Sequence, residues 1–471
     1  MPPHSPQLMI APYPEDLAFR HARARAVILG IAGGIGMIAA YLWSGGDWDG
    51  ELRILAWLML MLGLAWPQVD NDNGLSFAAL IYGLWSALAI IHTNFVAPHE
   101  WDFMCVYLDG RTLALGLDPY QPGDYALALP QIEMPMQPSA VFKEEILDVG
   151  FKYLPFSMLL YAPLGWFSFE VSHTLWVLVN WAAAIYAGYL LYRMSDWQQV
   201  GRLTPWLIAA LCLLWPASKP AIHFENSHGL MWLAVMLIWR DRQHPRAALW
   251  LTLSLLLKPF FVLMFGYFVL RGRWRTVGWA LLGTSLLGGL AWLCFGSEPF
   301  WSFLFDNPNQ RVPTFQYTSR VNHSLLSNLV RWTDFDFSQG HSPLHMPLFW
   351  LVGGSLGLLS VIQAMRLPAQ REEWAMALLL ATAVIVYPGA LKPYSLLLLP
   401  VLLLIWREGT VLLERHWWIG GLLLGLSMVV MVRYAFWTNV LLWLLALLVP
   451  MLLRHKLTHQ RTRRNVSRID G

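Results

Sequence analysis

Charge is what this sequence has least of. Only 13% of its 471 residues are Asp, Glu, Lys or Arg, against about 25% in a soluble domain. That shortage excludes a chain wetted by water over most of its surface. Cysteine is nearly as scarce. Cys105, Cys212 and Cys294 form no disulfide or metal framework, and the latter two sit in apolar runs where a core position is expected. No phosphate-cradling glycine loop, Ser/His/Asp arrangement or zinc motif is present, so no soluble nucleotide is indicated. The net charge of +3 is small and its cations fall in short clusters, which excludes a nucleic-acid partner. No short-period repeat or low-complexity linker divides the chain. No cleavable signal peptide is evident: the first apolar run begins near Ala26, after Arg20, Arg23 and Arg25, and reads as a retained first span.

What the chain has instead is apolar length. It is 57% hydrophobic with a mean hydropathy of +0.47 and 27 Trp residues, the composition of an integral membrane protein with many interfaces to mark. Apolar runs recur from 26–43 to 436–453. Several are shorter than the ~20 residues a full span needs, which predicts tilted, broken or re-entrant helices. Basic clusters at Arg20/Arg23/Arg25, Arg193/Arg202, Arg240/Arg242/Arg246, Arg271/Arg273/Arg275, Arg366/Arg371 and Arg407/Arg415, and a tail running from Arg454 to Arg468, are taken as cytoplasmic. Asp70 and Asp72 on that side weigh little in the rule. The segment 93–150 then lies on the periplasmic side.

Parity imposes two further expectations. The run 153–168, with Pro155 and Pro163, should be a half-helix entering from outside. The run 246–270 should be a shallow hairpin or broken helix turning at Lys258-Pro259, because it is too short for two spans at ~1.5 Å per residue. The resulting organisation is a cytoplasmic N-terminal segment 1–25, one transmembrane domain 26–453 with large periplasmic loops 93–150 and 297–345, and a basic cytoplasmic tail 454–471. The fold class is an all-α polytopic membrane protein of roughly 11–14 transmembrane or re-entrant helices. The Gly-Gly pairs near 33–34 and 420–421 are expected to be close helix contacts.

On this topology the polar features within and between apolar runs converge on the outer side. Asp102, flanked by Trp101 and Phe103, is a poorly hydrated carboxylate and so a usable general base. On its local residues alone it also reads as an ordinary loop Asp or the cap of a helix starting at Phe103. His223, Glu225, Asn226 and His228 crowd the turn between two apolar runs, where ionisable groups are costly unless they bind something. They could grip sugar hydroxyls or a divalent cation, although their spacing matches no standard ligand motif. Asn226 or Ser227 also reads as a helix cap. Lys258 lies deep in an apolar run, and an anionic lipid phosphate is its natural partner, with a snorkelling Lys at a kink as the alternative. Arg320 and Arg331 could clamp phosphate, with Asn322 and His323 beside them on a hydroxyl, or Asn322 is simply a helix N-cap. Between Tyr387 and Tyr394 two prolines break the helices, and Lys392 and Tyr394 are expected to point outward.

Asp102-Phe103, followed by Val106-Tyr107, Arg111 and Gly116-Leu117-Asp118-Pro119-Tyr120, resembles the first outer loop of the polyprenol-phosphate-dependent mannosyltransferases of glycosyltransferase family 87. Tyr153-Leu154-Pro155, Ala162-Pro163-Leu164, Trp176, Asn180, Lys258-Pro259, Arg271-Gly272-Arg273-Trp274 and Asn322-His323-Ser324 continue the resemblance in order, over roughly 90–410. It implies a GT-C fold and transfer of a hexose, usually mannose, from a polyprenyl-phosphate donor to a lipid or glycan acceptor on the periplasmic face. It also implies Asp102 as base, with Tyr107 and Arg111 near substrate. The family tends to carry a Gly-Gln-type pair where this chain has Asn226-Ser227-His228-Gly229, so donor sugar and acceptor stay open. The residues alone also admit a transporter or a flippase of lipid-linked sugars, a non-catalytic envelope scaffold, or a ligase using a pyrophosphate-linked lipid.

Overall fold

The computed structural model describes residues 31, 34–35, 101–131, 151, 153–194, 226–305, 322–332, 345–412 and 435–452. Four of the apolar runs, 52–66, 75–92, 204–217 and 417–432, lie outside them. Among the described residues the regular structure is helical, apart from one antiparallel bridge between Asn322 and Leu391. Helices α4 (Phe169–Met194), α8 (Trp274–Phe295), α11 (His345–Arg366) and α14 (Ala435–Leu452) are long and apolar enough to cross a membrane. At 1.5 Å per residue, 22 residues rise about 33 Å, enough for a hydrocarbon core of about 30 Å. The protein is an all-α polytopic membrane protein.

Lipid and core are divided between different helices. Helix α8 exposes Trp279, Leu282, Leu286, Leu290 and Leu293, the surface of a helix that faces lipid. Cys294 is exposed on this helix, contrary to the core position its apolar run suggested; an apolar run says nothing about which face is lipid. Among the described residues nothing comes within 4 Å of a Cβ placed on Gly34, and Gly33 and the 420–421 pair lie outside them. The interior is built on α5 (His228–Asp241) and α12 (Glu372–Val386). Trp232, Trp239 and Trp374 on these helices are essentially inaccessible, because helices apolar on every face are stable only when surrounded.

Both segments expected to be broken are broken. Between residues 155 and 166 the chain makes a 3₁₀ turn at Pro155–Ser157, a single helical turn α3 (Met158–Tyr161) and a second 3₁₀ stretch at Ala162–Trp166. Helix α6 (Ala247–Leu255) stops before an extended Lys258 (φ −158°, ψ 143°), after which Pro259–Phe261 forms a 3₁₀ turn leading into α7 (Val262–Leu270). Proline disfavours helical backbone in the residue before it, so Lys258 is fixed at the break by its own sequence.

The basic clusters of two segments meet the carboxylates of a third at one end of the bundle. Arg242 pairs with Glu373 at 2.8 Å and Arg273 with Glu372 at 2.5 Å. Glu372 also accepts hydrogen bonds from Gln243 at 3.0 Å and from the Tyr267 hydroxyl, and Arg271 donates to the Leu367 carbonyl at 3.0 Å. Gly272, at φ +63°, closes α7 and aims both arginines. Glu372 is therefore a buried carboxylate tying together the 242–246, 271–273 and 367–373 turns. Glu372→Ala leaves Arg273 without its carboxylate and is expected to cost about 3 kcal/mol, read as a lower midpoint of thermal unfolding in detergent. An unchanged midpoint would show that the three turns are held by their apolar contacts alone.

Candidate active site

The site lies at the opposite end of α5 and α12. Its first wall is α1 (Trp101–Ala114), a helix where the sequence suggested a polar loop. Phe103, Val106, Tyr107 and Leu108 bury one stripe at helical spacing, and this periodicity overrides the Asp-rich, loop-like look of the stretch. The helix already includes Trp101, so Asp102 lies within it rather than capping a helix that starts at Phe103. Its side chain lies outside the described residues. Phe103, next to it, is fully buried against Phe169 and His173, with ring centroids at 5.3 and 5.1 Å.

The rest of the first motif holds this helix in place. The Tyr107 hydroxyl donates to the Phe167 carbonyl at 2.8 Å, and Arg111 donates to the Gly165 carbonyl at 3.1 Å. Between those ties the backbones touch. A Cβ on Gly110 would stand 2.4 Å from the Tyr161 carbonyl oxygen, and one on Gly165 would stand 2.1 Å from that of Gly110. Gly116 (φ +74°) then ends the helix, its N–H bonding Leu113 while that of Leu117 bonds Thr112. Asp118 caps the next turn through the Tyr120 N–H and accepts the Ser302 hydroxyl at 2.6 Å from helix α9 (Glu298–Phe305). Burial, partly opposed by those two hydrogen bonds, raises its carboxyl above the usual range. The Tyr120 hydroxyl donates to the Tyr153 carbonyl at 2.7 Å. The Gly-Leu-Asp-Pro-Tyr motif thus ends by positioning Tyr153.

Tyr153 is the residue Lys258 meets. The Lys258 ammonium donates to the Tyr153 hydroxyl at 3.2 Å and stands 4.4 Å from its ring centroid. Tyr161 packs on Tyr153 with centroids 4.7 Å apart, and Ser157 and Tyr161 donate to the Leu255 and Leu257 carbonyls at 3.4 and 3.5 Å. The two broken segments of the sequence are therefore bound to each other, with the cation at their junction. Nothing in the local sequence of Tyr153 announced a partner for Lys258; only its place in the ordered motif series pointed to it.

On the other side of Lys258 four further groups converge. Phe260 meets Tyr387 and Tyr394 with centroids at 5.7 Å, and Tyr394 meets His228 at 5.8 Å. His228 and Tyr394 are buried among these rings. Lys392 is also buried, so neither it nor Tyr394 points outward as expected. The reason is the bridge: Asn322 donates to the Pro388 carbonyl at 3.1 Å, and the His323 N–H donates to Ala390 at 2.8 Å, covering the 387–394 turn. Arg331, on α10 (Leu325–Trp332), donates to the Asn322 carbonyl at 2.9 Å. Ser324, not Asn322, caps α10, its hydroxyl accepting the Ser327 N–H. Asn226 accepts the Ser227 N–H and hydroxyl at 2.7 and 3.1 Å, while Gly229 lets α5 begin in backbone contact with Asn180 of α4. His223, Glu225 and Arg320 lie outside the described residues.

His323 stays neutral. Burial, and then the charges of Arg331 and Lys392, push it down to about 3. A depressed histidine contributes stability that is present above its unfolded value near 6.5 and lost as pH falls below it. The unfolding midpoint is expected to drop with acid from about pH 6.5, and His323→Gln to flatten that slope. Identical slopes in the two proteins would remove His323 from the acid response.

Comparison with known proteins decides the class. The sequence model of Glycosyltransferase family 87 matches residues 151–400, more than half of the chain. The chain belongs to glycosyltransferase family 87. The matched span holds Tyr153, Lys258, Arg331 and the 387–394 turn. Over 192 residues it is also 29% identical to the alpha-(1->3)-arabinofuranosyltransferase of Mycobacterium tuberculosis, in strains CDC 1551 / Oshkosh and ATCC 25618 / H37Rv. That alignment covers 40% of this chain and 43% of each relative, so the chain spans less than half the length of these relatives. No solved structure matches it significantly.

Proposed function

We propose that this glycosyltransferase takes a sugar from a polyprenyl-phosphate-linked donor and transfers it to a lipid or glycan acceptor at the periplasmic face, through a GT-C-type fold. The observation that carries the reading is Lys258, an ammonium held at a proline break beside Tyr153 inside an otherwise apolar wall. A cation there matches a phosphate presented by a lipid carrier, whose prenyl chain lies against the apolar flanks. Asp102 removes the proton of an acceptor hydroxyl. That oxygen attacks the anomeric carbon as the bond from that carbon to the phosphate oxygen breaks, and polyprenyl phosphate leaves with the electron pair. A single displacement inverts the anomeric configuration. Lys258, Arg331 and Arg320 steady the leaving anion. Asn226, His228, Asn322, His323, Lys392 and Tyr394, with His223 and Glu225, shape the sugar subsite, in which a divalent cation is a further candidate.

The donor sugar has two readings. The motif resemblance favours mannose, and the arabinofuranosyltransferase relatives favour a pentofuranose. The deciding experiment gives purified protein polyprenyl-phosphate mannose, glucose and arabinose separately, with an extract of membrane lipids as acceptor. Transfer from the mannose donor alone supports the first reading, and from the arabinose donor alone the second. Transfer from none of them, by folded protein, removes the polyprenyl-phosphate donor.

A further inference from the structure

Helix α9 (Glu298–Phe305) has its faces inverted for a helix in a water-filled loop. Trp301, Leu304 and Phe305 recur at helical spacing and are 53%, 59% and 70% exposed, while Ser302 on the opposite side is buried. Trp301 and Phe305 stack with ring centroids 5.6 Å apart. A helix bathed in water buries its apolar stripe and exposes polar groups. Here three large apolar side chains are outside, a hydroxyl is inside, and Glu298 is the one charge on the helix.

The position of α9 says what meets that face. Helix α8 starts one residue after Arg273, which pairs with Glu372, so it ends at the other end of the bundle, where the candidate site lies. Gly296 (φ +79°) turns the chain there, and α9 begins after Ser297. Trp292, in the last turn of α8, packs on Phe300 of α9 with centroids 5.1 Å apart. The exposed side of α9 thus adjoins the lipid-facing surface of α8, which carries Leu290 and Leu293, at the level where a span leaves the hydrocarbon.

The buried side of α9 holds the first motif. The Ser302 hydroxyl donates to Asp118 Oδ2 at 2.6 Å and accepts Gln121 Nε2 at 3.1 Å. Asp118 Oδ1 accepts the Tyr120 N–H at 2.9 Å, and Phe303 packs on the Tyr120 ring with centroids 5.5 Å apart. From there the Tyr120 hydroxyl reaches the Tyr153 carbonyl at 2.7 Å, and the Pro119 carbonyl accepts the Phe151 N–H at 3.0 Å. Each step from α9 to the backbone around Tyr153 is a direct contact.

We propose that α9 is an interfacial helix, with Trp301, Leu304 and Phe305 seated at the headgroup–acyl boundary of the phospholipid leaflet, and that Ser302 makes it a strut holding the Gly-Leu-Asp-Pro-Tyr motif and Tyr153 at a fixed depth. Ser302 is on this view a positioning residue. Its consequence for donor binding rests on the function proposed above; the lipid contact and the strut do not.

Three measurements test this, two of them without substrate. Leu304 and Phe305 are replaced in turn by photoactivatable p-benzoylphenylalanine, and the full chain is irradiated in vesicles of phosphatidylethanolamine and phosphatidylglycerol. Mass spectrometry is expected to find phospholipid adducts at both positions, in yields within about twofold of the same probe at Leu293 on α8. Crosslinks to another part of the chain or to a second copy in place of lipid overturn the interfacial assignment. For the strut, hydrogen exchange is followed in peptides holding Tyr120 and Phe151. Ser302→Ala is expected to speed exchange there about fivefold, the weight of one hydrogen bond, and Ser302→Thr, which keeps the hydroxyl, to stay near wild type. Unchanged exchange in Ser302→Ala overturns the strut. Should that variant not fold, Gln121→Met, which removes one bond to Ser302, must speed the same exchange, or the strut falls. In transfer assays Ser302→Ala should raise the KM for donor several-fold with little change in kcat. A loss confined to kcat, or no change in either, overturns the link to donor binding. No transfer by the wild type sinks the function proposed above and that link with it, while the adducts and the exchange still decide the lipid contact and the strut.

Discussion

Asp102→Asn is expected to lower kcat for sugar transfer by about 10³-fold, within the range a positioned general base supplies, with little change in KM. Three features argue for a loss confined to chemistry. The substitution keeps the size of the side chain and its ability to accept a hydrogen bond. The backbone is fixed next door, where Phe103 is buried against Phe169 and His173. Further along, Tyr107, Arg111 and the Gly110–Gly165 contact hold the helix. The variant should therefore unfold at the wild-type midpoint. Asp102→Glu, which moves the carboxylate by one methylene, should recover part of the rate. A fully active Asp102→Asn would keep the enzyme but pass the base role to Glu225.

The sequence made the broken segments legible because proline acts locally. Pro155, Pro163 and Pro259 each interrupt a helix at their own position, and the structure places the interruptions there. The clustering of arginines was legible for a similar reason: turns between spans are where charge can stay wet, and Arg242, Arg271 and Arg273 do meet around Glu372 and Glu373. What sequence could not show was which segment covers which. Tyr394 and Lys392 look like interfacial anchors when read alone, yet the 322–324 segment, distant in the chain, seals them through the Asn322–Leu391 bridge. Tyr153 looks like one aromatic among many until Tyr120 and Lys258 converge on it.

Lys258→Met is expected to lower kcat/KM for the lipid-linked donor by about 10²- to 10³-fold, the loss seen when one preorganised group that meets developing negative charge is removed. Its effect on folding should be small, and this contrast identifies the role. Methionine fills the volume of the lysine stem, and replacing a half-buried charge with an apolar group is often neutral for stability or better. The lost ammonium–ring contact at Tyr153 offsets this by about 1 kcal/mol. The unfolding midpoint should thus stay close to wild type while transfer collapses. Lys258→Arg tests the geometry as well as the charge. A planar guanidinium keeps the cation but cannot reproduce a compact ammonium beside the Tyr153 hydroxyl, so it should bind donor while recovering only part of the rate. A Lys258→Met protein that unfolds early and loses activity in proportion would make Lys258 a structural strut of the two broken segments. One that folds normally and transfers sugar at the wild-type rate would leave the donor phosphate to Arg331 and Arg320.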